Sequence, residues 1–339
     1  MKPTEFATRL AEYLTHYLPA VRKLSPNTIR SYRDSFSLLL RFLRDSKAVP
    51  VEKVSLDDLQ APTLIEWLDH LENSRNCSPR SRNQRMAAIR SFLRYLAPTD
   101  PVRVQQLQRV LAIPGCRCDR APVPYLEPDL LGALLAEPDM TTPRGRRDAV
   151  LLSLLYDTGA RSQEIIDLRV RDVRLGSPAQ VTLTGKGRKT RIVPLMPATV
   201  ALLRDYLRAT DLDRPEAAAA PLFLGRHSEP LTRSGLRSIL ARHADAARAS
   251  HPALPTRIGP HTLRHTKAMH MLQAGVSLIH IRDILGHADI KTTDVYARAD
   301  LEMKRSALKK AAAAPTAVVA PTLPTWRDDA NLLDWLSSL

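Results

Sequence analysis

The chain contains 339 residues, which is enough for two folded domains. Lys and Arg number 50 against 35 Asp and Glu, for a formal net charge of +15, and this excess favours a polyanionic partner because neutralised phosphates release their counterions. The sequence shows no apolar run of about 18 residues and no signal-peptide pattern, so we expect a soluble, cytoplasmic protein with no membrane contact.

The first part of the chain, residues 1–112, has only helical patterns. Ser25 and Ser78 each precede a proline, which is typical of a helix N-cap followed by the first helical position. Behind both serines, apolar residues recur at helical spacing. We therefore predict an all-helical domain over residues 1–112.

Several arginines lie on the polar faces of these two predicted helices. A run of charge on a helix is usually a solvated face. The basic excess of the whole chain nevertheless favours contact between such arginines and the phosphates of duplex DNA. The candidates for this DNA contact are Arg30, Arg33, Arg80, Arg82 and Arg85.

Residues 113–124 have the composition of a linker, with prolines, a glycine and little apolar periodicity. The linker contains Cys116 and Cys118, which could form half of a metal site. The sequence nearby offers no Cys or His pair with zinc-like spacing to complete that site. We therefore predict reduced thiols in a loop, and neither a metal nor another cofactor.

The second domain, residues 125–314, mixes helices and strands. An apolar helix is predicted from Asp148 to Tyr156, running into Thr158 and Gly159. Residues 180–184 and 190–194 alternate like two strands joined by a hairpin turn, and the pattern is helical again afterwards. The predicted fold class is thus mainly α with a small β-sheet, in which an α+β domain follows the helical one.

Residues 315–339 form a separate C-terminal segment. The chain around its beginning is rich in Ala and Pro and is expected to be an extended or flexible tether. After the tether, Leu332, Trp335, Leu336 and Leu339 recur on one helical face. A short amphipathic helix on a tether usually docks on another surface.

Six polar residues of the second domain lie in short, recognisable stretches. Arg161 lies in TGARSQE, Lys186 in TGKG, His261 and Arg264 in HTLRH, and His287 in LGH; Tyr296 follows nine residues later. Attack on a phosphodiester concentrates negative charge on the non-bridging oxygens, and arginines stabilise that charge with a planar fork that stays protonated. A tyrosine can act as the nucleophile if it loses its proton during attack.

In their order and spacing these six residues resemble those of the tyrosine recombinases, also called the phage integrase family. The stretch SPNTIRSY from Ser25 to Tyr32 looks like the opening of that family's SAM-like core-binding domain. The resemblance implies a core-binding domain followed by a tyrosine-recombinase catalytic domain. It also implies double-stranded DNA as the substrate and a homo-oligomer on it, with a dimer at each site and a tetramer in the synapse.

The resemblance implies how the reaction proceeds. Arg161 and Arg264 would clamp the phosphate, and Tyr296 would attack it to form a phosphotyrosine with the 3′ end of the broken strand. Lys186 would protonate the released 5′ hydroxyl. Neither a metal nor ATP would be required, since the bond energy is kept in the phosphotyrosine.

Four further residues have supporting roles in this resemblance. His261 and His287 would bind phosphate oxygens, and His261 would also assist removal of the proton from Tyr296. Glu164 would support the first arginine, and His265 would pack beside the second.

Taken singly, these features have plainer explanations. A Gly-Lys-Gly stretch is more often a hairpin turn, and one tyrosine is more often half-buried than catalytic. His261 and His265 are four apart on a helix and could be metal ligands, but Arg264 between them would repel a cation. The intact set of six argues against a DNA-binding regulator that has lost its chemistry.

Several functions share this chemistry. A type IB topoisomerase uses similar residues but relaxes supercoils as a monomer without sequence preference. Among recombinases, the alternatives are integration, excision or transposition of a mobile element, and Xer-type resolution of chromosome or plasmid dimers. The C-terminal tether and its helix favour the mobile-element enzyme, acting alone or with partner recombinases.

Overall fold

The computed structural model describes residues 2–118, 123–225 and 228–287 together with Thr293 and Tyr296, the side chain of Lys186 excepted. The chain divides into two compact units, Met1–Ala121 and Pro122–Leu339. The structure is mainly helical with one small antiparallel sheet, which confirms the predicted fold class. The predicted C-terminal tether and helix lie outside the described residues.

The first unit consists of helices. The side chains of Ser25 and Ser78 each accept a hydrogen bond from a backbone N–H three residues later, and a proline occupies the first helical position, as predicted. A π-helical segment, Tyr13–Val21, continues the first helix. The α-helices are α1 (Glu5–Glu12), α2 (Pro26–Lys47), α3 (Ala61–Asn73), α4 (Pro79–Leu96) and α5 (Val104–Leu111).

Aromatic side chains form the centre of the first unit's core. Phe92 on α4 makes edge contacts with Phe6, Tyr13 and Phe36 at centroid distances of 5.2–6.0 Å. Trp67 on α3 is fully buried in the same core. Rings in this arrangement add about 0.5–1.5 kcal/mol per pair beyond the apolar area that they bury, so the helical unit has a well-specified core of its own.

The second unit surrounds a three-stranded antiparallel sheet in the order β1-β2-β3, formed by Val173–Arg174, Gln180–Thr184 and Thr190–Pro194. The last two strands have the predicted bounds, and Val181 pairs with Val193. The helices of this unit are α6 (Pro128–Ala136), α7 (Pro143–Thr158), α8 (Ser162–Ile166), α9 (Pro197–Ala209), α10 (Arg233–Ser250), α11 (Pro260–Gln273) and α12 (Leu278–Leu285).

Helix α7 is the centre of the second unit's core, with ten of its residues buried. It begins five residues earlier than predicted, because Thr142 caps its N-terminus and Pro143 takes the first helical position. It ends at Gly159, whose φ of +54° lies in the left-handed region. A Cβ at this glycine would lie 2.5 Å from Leu285 Cδ2, so both the conformation and the close packing require glycine.

No helix within the described residues is long and apolar enough to cross a membrane.

Candidate active site

Arg161 lies just after the turn that ends α7 and forms the N-cap of α8. Its backbone N–H and its Nη1 each donate to the Glu164 carboxylate, to Oε2 and Oε1 respectively, and both distances are 2.8 Å. A carboxylate three residues beyond the N-cap can reach back in this way because the first helical turn brings the two residues together. The structure therefore brings together Arg161 and Glu164, the two residues that the family resemblance pairs.

Glu164 has a second arginine partner that the sequence did not reveal. Arg191 on β3 forms a bidentate pair with it, Nη2 to Oε2 at 2.7 Å and Nη1 to Oε1 at 3.0 Å. Burial alone would raise the pKa of Glu164, but hydrogen bonds from Arg191 and Arg161 lower it to about 2. The buried carboxylate is therefore ionised at neutral pH and orients two guanidinium groups.

A signal for Arg191 was present in the strand pattern. It is two residues from the buried Val193, and therefore shares that residue's face of β3. An arginine on the inward face of a strand requires a carboxylate or several carbonyls as partners. Arg191 has both, since its Nε also donates to the Ile284 carbonyl oxygen at 2.8 Å.

Arg264 on α11 is the most deeply buried arginine of the site, with 3% of its surface exposed. Its Nη1 and Nη2 donate to the carbonyl oxygens of Gly159 and Leu285, each at 2.6 Å. Arg161 Nη2 donates to the next carbonyl, that of Gly286, at 3.2 Å. The end of α12 thus holds both predicted phosphate-binding arginines on successive carbonyl groups.

The charge of this cluster is unbalanced. Arg161, Arg191 and Arg264 carry three positive charges, and Glu164 is the one carboxylate bonded to them within the described residues. Burial, Arg161 and Arg191 together lower the pKa of Arg264 to about 10, which leaves it protonated at neutral pH. A partly enclosed surplus of guanidinium charge is suited to binding an anion such as a phosphate.

Tyr296 lies beside this positive cluster and is 2% exposed. Its hydroxyl is 2.8 Å from His265 Nδ1 on α11, and the two ring centroids are 5.6 Å apart. Burial raises the pKa of Tyr296 above its ordinary value, although Arg264 opposes the shift. The phenol is therefore protonated at neutral pH and must lose its proton in order to act as a nucleophile.

His287 follows the end of α12 and stacks on Tyr296 with a centroid distance of 6.5 Å. Its Nδ1 is 2.9 Å from Thr293 Oγ1. Burial, Arg264, Arg161 and Arg191 are the main causes that lower the pKa of His287 to about 4. The ring is neutral at pH 7, so in this state one of its nitrogens donates and the other accepts.

His261 and Lys186 have less defined surroundings. His261 lies one turn before His265, with its ring centroid 6.4 Å away, and its side chain is exposed. Within the described part of the chain it makes no hydrogen bond to Tyr296, so its assistance in proton removal stays a prediction. The backbone of Lys186 lies in the turn between β2 and β3, but its side chain is outside the described residues.

Behind the site, polar contacts join α7 to α11. Lys267 Nζ lies 3.8 Å from Asp157 Oδ1, and the Tyr156 hydroxyl lies 2.9 Å from His270 Nδ1. Asp157 also accepts a hydrogen bond from Thr199 on α9. These contacts fix the helix that leads into Arg161 against the helix that carries Arg264.

The five arginines proposed for DNA contact in the first unit fall into different environments. Arg30, Arg33 and Arg80 are exposed, and Arg85 is half-buried with Nη1 3.4 Å from Ser35 Oγ. Arg82 differs, because its side chain is only 10% exposed and pairs with Glu72 at 3.4 Å and Asp69 at 3.9 Å. Its charge is paired inside the helical unit, and its contact with a DNA phosphate stays a prediction.

One small region of the second unit contains a partly enclosed surplus of guanidinium charge, the imidazoles of His265 and His287, and the hydroxyl of Tyr296. Such a site is suited to transferring a phosphoryl group onto the tyrosine, and on this mainly helical fold it is typical of DNA strand-exchange enzymes. Residues 124–303 match the model of the phage integrase family, and residues 10–99 match its N-terminal SAM-like domain. The chain belongs to the phage integrase family, the tyrosine recombinases.

Relatives with known names agree with this assignment. The chain is 39% identical over 339 residues to the integrase/recombinase y4rC of Sinorhizobium fredii, a match that covers 100% of this chain and 99% of the relative. It is also 31% identical over 295 residues to the tyrosine recombinase XerD of Listeria innocua, covering 85% of this chain and 93% of the relative.

Solved structures show the same fold. The Tn1549 transposon integrase, solved in complex with transposon right-end DNA, superposes with a TM-score of 0.68 at 18% identity, covering 90% of this chain and 99% of that one. The XerH recombinase, solved with a palindromic difH substrate, gives a TM-score of 0.67 at 21% identity, with 85% and 80% covered. At these identities the likeness concerns the fold.

Proposed function

We propose that this protein is a site-specific recombinase that cleaves and rejoins double-stranded DNA through a 3′-phosphotyrosine formed by Tyr296. One observation supports this proposal above the others. Arg161 and Arg264 donate to the adjacent carbonyls of Gly286 and Leu285, immediately before His287, in the region that also contains Tyr296. Both guanidinium groups are thereby held at the C-terminal end of α12, next to the segment that carries the nucleophile.

In this reaction the Tyr296 oxygen bonds to phosphorus while the bond from phosphorus to the 5′ oxygen breaks. Arg161 and Arg264 stabilise the negative charge that develops on the non-bridging oxygens, and removal of one such donor costs about 100- to 1000-fold in rate. His261 and His287 bind the same oxygens. Lys186, in the turn between β2 and β3, gives a proton to the departing 5′ oxygen.

Duplex DNA fits the charge of the chain as well as its site. The formal charge of +15 favours a polyanion, and Arg30, Arg33, Arg80 and Arg85 offer candidate phosphate contacts on the helical unit. We propose domains at residues 1–112 and 125–314, joined by a linker at 113–124. Recombination then requires a dimer on each site and a tetramer in the synapse, in the cytoplasm.

For the biological role we propose integration, excision or transposition of a mobile element. The full-length similarity to an enzyme named integrase/recombinase supports this role, because it extends through the C-terminal segment as well. The XerD relatives support the alternative, which is resolution of chromosome or plasmid dimers, but their matches cover 85% of the chain.

Covalent trapping on DNA tests the proposal. Wild-type protein and Tyr296→Phe are incubated without metal with a pool of nicked duplexes of randomised sequence, and adducts are separated on denaturing gels. We expect an adduct with wild type alone, and its sequence gives the cleavage site. A site that flanks the gene supports a mobile element, whereas one unlinked chromosomal locus supports dimer resolution.

Two outcomes would overturn the proposal. DNA binding without any adduct would indicate a regulator with this fold. Adducts without sequence preference, together with relaxation of supercoiled plasmid by the monomer, would indicate a topoisomerase.

A further inference from the structure

His265 makes the one hydrogen bond of the Tyr296 hydroxyl within the described residues. The residue follows Arg264 on α11, and its Nδ1 lies 2.8 Å from the phenolic oxygen. The tyrosine is 2% exposed and its ring is tilted by 58° against the imidazole. The contact therefore joins the reacting atom of the proposed nucleophile to a titratable side chain.

The direction of this hydrogen bond follows from the two groups. A buried phenol requires an acceptor for its proton, and Nδ1 of His265 is the acceptor within reach. Burial, His261 and Arg264 lower the pKa of His265 to about 4, so the ring is neutral at pH 7 and has one free nitrogen lone pair. The tyrosine donates to Nδ1, and Nε2 bears the imidazole proton.

We propose that His265 is the proton acceptor for Tyr296 during DNA cleavage. The inference rests on the proposed function, since it concerns the same phosphotyrosine. As the tyrosine oxygen bonds to phosphorus, its proton passes to His265 Nδ1 and forms an imidazolium, while the 5′ oxygen leaves and is protonated separately. On rejoining, the 5′ hydroxyl attacks and gives its proton to Lys186, while His265 returns its proton to the departing tyrosine.

The charges around His265 are consistent with this role. His261 and Arg264 face it from its own helix, and Tyr296 and His287 face it from the segment after α12. Tyr125 packs against the apolar cluster that contains Tyr296. Without DNA, burial above all and also the charge of Arg264 keep the pKa of His265 low, so the imidazole is unprotonated and ready to accept. A bound phosphate adds negative charge beside the ring, which favours its protonated form as the proton is transferred.

This assignment gives the two histidines of α11 different roles. His261 is exposed and within the described residues makes no hydrogen bond to the tyrosine, so it is left with the phosphate oxygens. His265 takes the proton. The sequence had suggested only that His265 packs beside Arg264, because a spacing of four residues does not show which ring meets a tyrosine 31 positions later.

His265→Asn separates a proton acceptor from a residue that only positions the tyrosine. Asn Oδ1 occupies a position close to that of Nδ1 and accepts a hydrogen bond, but it does not take up a proton. A matched control is His280→Asn, because His280 Nδ1 also pairs with a hydroxyl, Ser277 Oγ at 3.0 Å, on the exposed surface of α12. Adduct formation is measured in single turnover on the nicked duplex selected by wild type.

We expect His265→Asn to lower the cleavage rate at pH 7 by about 100- to 10,000-fold, with unchanged DNA affinity. Its rate should then rise in proportion to hydroxide, while the wild-type and His280→Asn rates stay nearly constant around neutral pH. A His265→Asn rate within a few-fold of wild type would show that the contact only positions the tyrosine. A hydroxide-dependent rate in His261→Asn alone would assign the proton to His261.

A measurement without DNA tests the inference separately from the proposed function. In ¹⁵N NMR spectra at neutral pH, His265 Nδ1 should be the unprotonated nitrogen, and its signal should move in Tyr296→Phe. A proton on Nδ1 would overturn the inference even if Tyr296 forms an adduct. If wild type forms no adduct with the randomised pool, the proposed function fails, whatever the tautomer.

Discussion

Arg191 and Glu164 form a bidentate ion pair that connects the small sheet to α8, the helix that begins directly after Arg161. The carboxylate side chain is 3% exposed and that of the arginine 12%, so the pair is shielded from water. Through the same carboxylate, Arg191 helps to fix the position of Arg161 although the two arginines are 30 residues apart in the sequence. The sheet therefore contributes to the site even if none of its residues contacts DNA.

Arg191→Met should lower the free energy of unfolding by about 3 kcal/mol. Removing one partner of a buried ion pair costs about 3–5 kcal/mol, and the lower value applies because Arg161 still pairs with Glu164. Urea unfolding measures the difference. Arg171→Met, at an exposed position, is the matched control and should stay within about 0.5 kcal/mol of wild type. Equal effects of the two substitutions would contradict this account of the pair.

The stability that Glu164 provides should depend on pH. Its pKa is about 2 in the folded protein against an ordinary value of 4.5, so the ionised form is favoured by folding. The contribution is complete above pH 4.5 and is lost as the pH falls towards 2. We expect the unfolding free-energy difference between wild type and Glu164→Gln to shrink over this window.

Denaturant titrations at several pH values measure this difference. Exposed Glu52→Gln controls for the loss of one negative charge elsewhere on the chain. A wild-type advantage over Glu164→Gln that stays constant through the whole acid range would contradict the prediction.

Gly159→Ala should disturb both folding and cleavage. The new Cβ would meet Leu285 Cδ2 at 2.5 Å, and the φ of +54° is unfavourable for alanine, so we expect a loss of about 1–3 kcal/mol. The Gly159 carbonyl also accepts from Arg264, so the cleavage rate should fall more than DNA affinity does. Gly132 lies in α6, and a Cβ added there would meet no neighbouring atom within 4 Å. Gly132→Ala should therefore stabilise the protein by about 0.5–1 kcal/mol. Thermal unfolding and covalent trapping of both variants provide the test.

Deletion of residues 315–339 should weaken cooperative assembly on paired DNA sites more than binding to a single site. The reason is the amphipathic pattern of the last residues, which we expect to dock on a neighbouring protomer. Gel shifts with one-site and two-site duplexes measure the two affinities. The control is full-length protein with Leu332, Trp335 and Leu336 changed to alanine, which should reproduce the deletion. Equal loss on both duplexes would contradict the prediction.

Local features of the fold were predictable from the sequence. Ser25 and Ser78 each begin a helix, because the serine side chain accepts a hydrogen bond from a backbone N–H three residues later. The whole signal lies within four residues of the chain. The last two strands of the sheet were predicted with their bounds because alternation and a glycine-containing turn are also local. In the site, the resemblance to the tyrosine recombinases paired Glu164 with Arg161, and one helical turn brings the two residues together.

Contacts between distant segments were not predictable in this way. Arg82 belongs to an arginine-rich face by its spacing, but its side chain is buried and pairs with exposed carboxylates of α3. The alternation of β3 places Arg191 on the inward face but does not identify Glu164 as its partner. That pairing and the bond between His265 and Tyr296 each depend on how distant segments pack. The carbonyl of Leu285 is a backbone group, so its role as an anchor of Arg264 leaves no signature in residue types.

Helix α12 buries only Ile281 and Leu285 among its eight residues. The carbonyl groups of its last residue and of Gly286, which caps it, nevertheless hold both proposed phosphate-binding arginines. Burial of two such side chains contributes about 3–6 kcal/mol, less than the total stability of an ordinary domain. Local unfolding of this one helix would remove one hydrogen bond from each guanidinium group while the core around α7 stays intact. The geometry of the proposed phosphate site therefore depends on the packing of α12 as well as on global stability.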